Sequence, residues 1–388
     1  MKKRYYVSLV IVIGFFVLIS PKVKGYILGY SVRNELYKAS STIDITDSSF
    51  MGLESLKKDV FGNKIFFVGE AHGTVKSYEM YLYLLKYFVE VGDVKYVLLE
   101  GGYSEGQYLN YYLDTGDESV LEYIFDKKRK TISSTMEKYN LFKNIYEYNL
   151  TLSEDKKIQF VGIDIENENI AIKYLNSLIP KSEILHSSID ELIKIVTGMS
   201  RHNYIEESAK ALEILKANEN EIKNYLGDNY FNFSFTLRNL SVSKGQFYRE
   251  ELLINNFIEL YEQLPDGKYF GQYGGAHTNL HPTTRSFASH LQHNYDGTKN
   301  KVISIEYMYS NSYSYTPLPG NSIVKVPEIM EPYFFPDDKS TVLLKLNYED
   351  SVYFNKNIHL YEGDPAVEYY QYIILLSDSN AANKYYSD

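Results

Sequence analysis

Cysteine is absent from this 388-residue chain, and so is tryptophan. Without a thiol there is no disulfide, no thiolate metal site, no cysteine nucleophile and no lipid-modified cysteine. No long basic run follows the N-terminus (Lys127 to Lys130 is the extent of one short cluster), and the formal charge is -10. Phosphate backbones are bound by concentrated positive faces, so nucleic acid is a poor match as a partner. A phosphate loop and a dinucleotide fingerprint are both missing. What is present is enough apolar material for a packed core: 44% hydrophobic against 23% charged residues. The 40 tyrosines are spread along the chain and mark no one position.

The N-terminus has the character of a targeting segment. Lys2, Lys3 and Arg4 precede an apolar run from Tyr5 to Ser20, which Pro21, Lys22 and Lys24 end. At about 16 residues the run lies between a signal-peptide core and a minimal spanning helix. Residues 1–25 are therefore expected to be a signal peptide or an uncleaved membrane anchor. The positive-inside rule then sends the rest out of the cytoplasm, held at the cell membrane or secreted. Residues 26–58 are polar and read as a stalk.

One α/β domain is expected over 59–380. Ile65–Val68, Tyr96–Leu99, Ile158–Asp164 and Lys268–Tyr273 are short, nearly continuous apolar runs, the pattern of strands buried on both faces. Helical spacing between them, as in Lys76–Val89, predicts a mainly parallel sheet flanked by helices. Three long helices are expected at Ile184–Val196, Ile205–Tyr225 and Thr236–Leu264, forming a helical insertion over the strand carboxyl ends at about 181–264. Further strands are expected at Lys301–Met308, Thr341–Leu346 and Tyr370–Leu376, with a long loop over Ser310–Asp338.

Candidate chemistry gathers where strands end. Gly69-Glu70-Ala71-His72-Gly73-Thr74 follows the first strand, and Gly274-Gly275-Ala276-His277 follows the fourth. Gly-x-x-His is common enough by chance to mean little alone; its double placement at strand ends gives it weight, because clefts in open parallel sheets lie there. Glu70 can orient the His72 imidazole, or the two can share a divalent metal. Glu100 and Asp164 close the second and third strands, where a carboxylate needs a partner to be buried at tolerable cost. Arg249, beside Glu250 on a predicted helix, is a candidate partner or an anion-binding group.

These motifs in order, from Phe67-Val68-Gly69-Glu70-Ala71-His72 through Leu98-Leu99-Glu100 and Gly162-Ile163-Asp164 to Gly275-Ala276-His277, resemble the erythromycin esterase/Tiki/ChaN superfamily. The stretch from Glu100 to Asp117 is similar to the esterase branch. The spacing of Glu70 and His72 is that of the Tiki and ChaN side, one residue shorter than the esterase pattern. The resemblance implies three activities: a hydrolase with histidine as base, a metal-dependent hydrolase, or a haem-binding protein. Read onto this chain, a hydrolase of an ester, peptide or other acyl substrate would use Glu70, His72, Glu100, His277 and Arg249. The first four would be the ligands if a divalent ion (Mn, Co, Fe or Zn) takes part. Haem or iron binding, with a tyrosine as axial ligand, is the alternative, and a non-catalytic scaffold the third.

Overall fold

The computed structural model describes residues 33–181, 187–242, 249–317, 320–324, 331–355 and 364–386. The N-terminal segment expected as a signal or anchor lies outside them. Among the described residues no helix is long and apolar enough to cross a membrane.

The expected α/β architecture is present. Strands β1 (Ser40–Thr42), β2 (Ile65–Glu70), β3 (Val94–Gly102), β4 (Gln159–Asp164), β5 (Lys268–Gly274), β6 (Val302–Ser310), β9 (Val342–Lys345) and β10 (Tyr372–Ser377) form one sheet in the order β1-β9-β10-β6-β2-β5-β3-β4. From β10 to β4 every neighbouring pair is parallel, while β9 and β1 run antiparallel at one edge. The chain leaves β2 toward β3 and β4, then returns to insert β5 between β2 and β3, and afterwards builds the other half. Reversals of this kind open a crevice at the strand carboxyl ends.

The central strands are apolar throughout because both faces are covered. Phe66 and Val68 of β2 join one core with Leu84 and Phe88 of helix α1 (Val75–Gly92). Ile65 and Phe67 join the opposite core. That first core also takes α2 (Tyr103–Thr115), α3 (Glu118–Lys127) and α4 (Met136–Thr151), three helices that the apolar spacing did not single out. The second core holds α5 (Glu168–Ser177), α6 (Ser187–Thr197), α7 (Tyr204–Ala217), α8 (Glu219–Leu226), α9 (Tyr230–Leu240), α10 (Arg249–Gln263) and α12 (Phe287–His293); between the last two lies the short α11 (Gly275–Thr278).

Four sequence expectations differ from this picture, the first being the helix expected over Thr236–Leu264, where the described residues hold two helices, α9 ending at Leu240 and α10 from Arg249. The polar segment 26–58 is no free stalk from residue 33 onward: Leu36, Ile43, Leu53 and Leu56 are buried, and β1 pairs with β9. The helix expected over Ile205–Tyr225 is broken at Asn218, whose side chain bonds back to the Ile214 carbonyl, as polar side chains do where a helix ends. The loop expected over Ser310–Asp338 carries a two-stranded hairpin, β7 (Ser312–Ser314) with β8 (Ser322–Val324).

Candidate active site

Glu70, His72, Glu100, Asp164, Arg249 and His277 all meet at the carboxyl ends of β2, β5, β3 and β4. Glu70 ends β2, and two residues later the chain turns so that His72 Nδ1 lies 2.8 Å from Glu70 Oε1. The turn relies on Gly73, whose φ is +77° and whose Cα faces the Tyr315 backbone so closely that a Cβ would lie 2.9 Å from the Tyr315 carbonyl oxygen. Three strap contacts hold this loop: Ser314 donates to the His72 carbonyl, and the Tyr315 and Ala382 amides donate to Gly73 O at 2.9 and 2.8 Å. The segment around Ala382 continues to the start of α4, where Met136 N donates to Asn383 O and Tyr385 N to Ser134 O. One stretch of backbone thus ties the His72 loop to α4.

Glu70 spends its second oxygen on Gln272 Nε2. Gln272 in turn accepts from Tyr307 and donates to the Ser77 carbonyl, so it is fixed from both ends. A buried amide inside the apolar run of β5 was the signal that could have found it. The Nδ1–Glu70 bond assigns the Nδ1–H tautomer to neutral His72 and leaves Nε2 as the basic nitrogen. Nε2 stands 3.6 Å from Glu100 Oε2. Burial works against the imidazolium, but the hydrogen bond and charge of Glu70, with the charge of Glu100, outweigh it and lift His72 above its ordinary range.

Glu100 is the hub. His277 Nε2 lies 3.6 Å from its Oε1, Arg249 Nη2 donates at 2.7 Å, and the Gly274 amide donates at 3.1 Å. Burial would push this carboxyl up; the charges of His72, His277 and Arg249 prevail and hold it below the usual carboxylate range. Arg249 also clamps Asp164, through Nε at 3.0 Å and through Nη2, which raises its already high proton affinity further. His277 turns Nδ1 toward Glu250, an ion-pair contact that lies off the hydrogen-bonding line. The other histidines of the second motif region serve the fold: His281 stacks on Tyr369, and His293 Nε2 meets the Leu280 carbonyl.

The cleft above these groups has a volume of about 550 Å³. Among the described residues of the stretch 181–264, Arg249 alone lines it; the facing wall comes from Lys128 to Phe142, at and before α4. That wall supplies Lys128, paired to Glu105 through two 2.9 Å contacts, and Lys138. Glu166 joins the lining, accepting from the Ser104 amide at 3.1 Å; burial raises its pKa to about 7. Below the site Glu306 of β6 is raised by burial to about 8. Lys138 and Glu166 carried no sequence signal, since each stands in a stretch where a charged residue is ordinary; Glu306, a carboxylate inside the apolar run Val302–Met308, could have been found as Gln272 could.

Among the described residues no group of three or more histidines and carboxylates is arranged to hold a metal ion. The expected set Glu70, His72, Glu100 and His277 is wired instead as alternating acids and bases, with the Arg249 guanidinium on Glu100 where an ion would need that oxygen. Tyr78 and Tyr81 also line the cleft, and burial holds both phenols above their ordinary range.

No protein-family model matches the chain, and neither does any curated protein. Solved structures do match in fold. A succinoglycan biosynthesis protein superposes with TM-score 0.66 at 17% identity, covering 92% of this chain and 98% of that one. A Bacillus cereus protein gives 0.65 at 15% over 92% and 99%. A mutant erythromycin esterase in its open conformation gives 0.62 at 15% over 89% and 99%. The resemblance read from the ordered motifs thus holds at the level of architecture: this chain has the erythromycin esterase-like fold.

Proposed function

We propose that the protein is a hydrolase of acyl compounds, an ester or a peptide, in which His72 activates water. The observation that carries this reading is the Glu70–His72–Glu100 arrangement. Glu70 holds Nδ1–H and so directs the Nε2 lone pair into the cleft, and Glu100 sits across a gap suited to a bridging water. His72 Nε2 would take a proton from that water as its oxygen attacks the carbonyl carbon, and return it to the leaving group. Arg249 is anchored by Nε and Nη2, and no bond engages its Nη1 among the described residues. That nitrogen is available to a developing oxyanion, and an anchored donor stabilises such charge without reorganising. His277, held by Glu250, would orient Glu100 from the other side.

The apolar run behind Lys2, Lys3 and Arg4 supports an extracytoplasmic site of action. The solved esterase of the same fold supports hydrolysis only as a shared framework, because fold does not carry activity. The test is hydrolysis of para-nitrophenyl esters and a panel of peptides by the wild type and by His72→Ala. A loss of about 10²–10⁴-fold with the melting profile retained is expected; equal turnover by both proteins would remove His72 from the reaction.

A further inference from the structure

The charges lining the cleft can be matched one by one. Glu70 is taken by His72 and Gln272, Glu100 and Asp164 by Arg249, Glu105 by Lys128, and Glu166 by Ser104. Among the described residues every lining carboxylate therefore has its partner, and two of the three lining cations, Arg249 and Lys128, are spent in the same way. Lys138 is left over: it lines the cleft from the first turn of α4, half-buried, and among the described residues its ammonium makes neither an ion pair nor a hydrogen bond. We propose that Lys138 is the cleft's anion-recognition residue and that the substrate is an acyl compound bearing a carboxylate.

A lysine with no partner normally extends its head into water. This one is kept where water is scarce and where Lys128 repels it. Burial first, and then Lys128, lower its proton affinity, while Glu105, Glu70 and Glu100 only partly offset them. A ligand carboxylate would relieve that cost, since charge-assisted hydrogen bonds are among the stronger polar contacts. A phosphate fits less well. Its charge of nearly two units calls for several donors, and Lys138 supplies one cation. Beside Lys138 the wall is apolar: Leu141 and Phe142 on α4, with Tyr78 and Tyr81 of α1 opposite. The ligand that matches is an apolar acyl chain with one anionic end. Lys138 reaches the reacting groups electrostatically, since its charge lowers the proton affinity of His72.

The reaction half of this inference rests on the hydrolase reading; the binding half does not. Two chain-matched probes separate them, mono-para-nitrophenyl glutarate and para-nitrophenyl valerate, which differ in one terminal carboxylate. Glutarate itself reports binding without turnover, by calorimetry. The wild type is expected to favour the glutaryl ester by at least about tenfold, chiefly through KM, and to bind glutarate. In Lys138→Met that preference collapses toward unity and glutarate binding is lost; Lys138→Arg restores most of both. His72-dependent hydrolysis with no charge preference and no glutarate binding would overturn the role of Lys138 and leave the hydrolase standing. Glutarate binding that needs Lys138, with neither ester cleaved, would sink the hydrolase and keep the anion site. Absence of both hydrolysis and glutarate binding overturns the two readings together.

Discussion

Arg249 is the residue on which the site's electrostatics turn. Its guanidinium neutralises Asp164, whose side chain is 6% exposed, and Glu100, which is 15% exposed. Removing one member of such a cluster costs more than the cluster is worth, because charges are left buried without a partner. Arg249→Met is therefore expected to destabilise the fold by about 3 kcal/mol in urea denaturation. Adding Asp164→Asn should recover part of that loss, since one stranded charge is gone. A cost under about 1 kcal/mol for the single variant would mean that water already screens both carboxylates. The neighbouring Glu250 shows how contact reveals what spacing hides: beside Arg249 in the sequence it looks like a helix-surface residue, yet it faces His277 Nδ1.

Among the elements, the His72 loop is the part whose shape depends on a single residue type. Gly73 adopts a left-handed φ, and a Cβ there would press on Tyr315. Gly73→Ala should cost roughly 1–2 kcal/mol in thermal stability and reduce the proposed ester hydrolysis by more than that loss explains, because the displaced backbone carries His72. Gly62→Ala is the control, at a glycine with open space around it and no positive φ; it should leave both quantities near wild type. Equal effects of the two would show that the loop tolerates a side chain. The strands that place this loop were readable in the sequence, since burial on both faces writes a continuous apolar run such as Ile65–Val68. Their carboxyl-end residues Glu70, His72, Glu100 and Asp164 were readable for the same reason, as polar groups closing such runs. Helices α2 to α4 were not, because their tyrosines, asparagines and lysines blur the apolar stripe even though Tyr112, Phe125, Tyr139 and Phe142 are buried. Lys138 stayed hidden with them. Its distinction is a missing partner, and which partners a residue meets is decided by elements far away in sequence.

At the scale of the whole molecule, carboxyls buried without a cation make stability depend on pH in a definite direction. Glu166 has its pKa raised from 4.5 to about 7 and Glu306 from 4.5 to about 8, both through burial. Each group is favoured neutral in the fold, so between its ordinary and its raised value the folded chain holds a proton that the unfolded chain has shed. By linkage, stability falls as pH rises through that window. The contribution is fully present below about pH 4.5 and lost above about pH 7 for Glu166, and above about pH 8 for Glu306. Glu100 acts with the opposite sign but at lower pH: its depressed value gives stability that disappears only as acid protonates it. His72, raised above 6.5, adds to the decline on the alkaline side. Glu166→Gln isolates one contribution, because the amide oxygen can still accept from the Ser104 N–H while carrying no charge. Relative to wild type, the variant should gain up to about 3 kcal/mol between about pH 5 and about pH 8 in urea denaturation, since each pH unit inside the window is worth about 1.4 kcal/mol. A stability difference that stays constant over that range would show that Glu166 ionises in the fold as freely as it does in water, and that the polar floor of the cleft is wetter than its burial suggests.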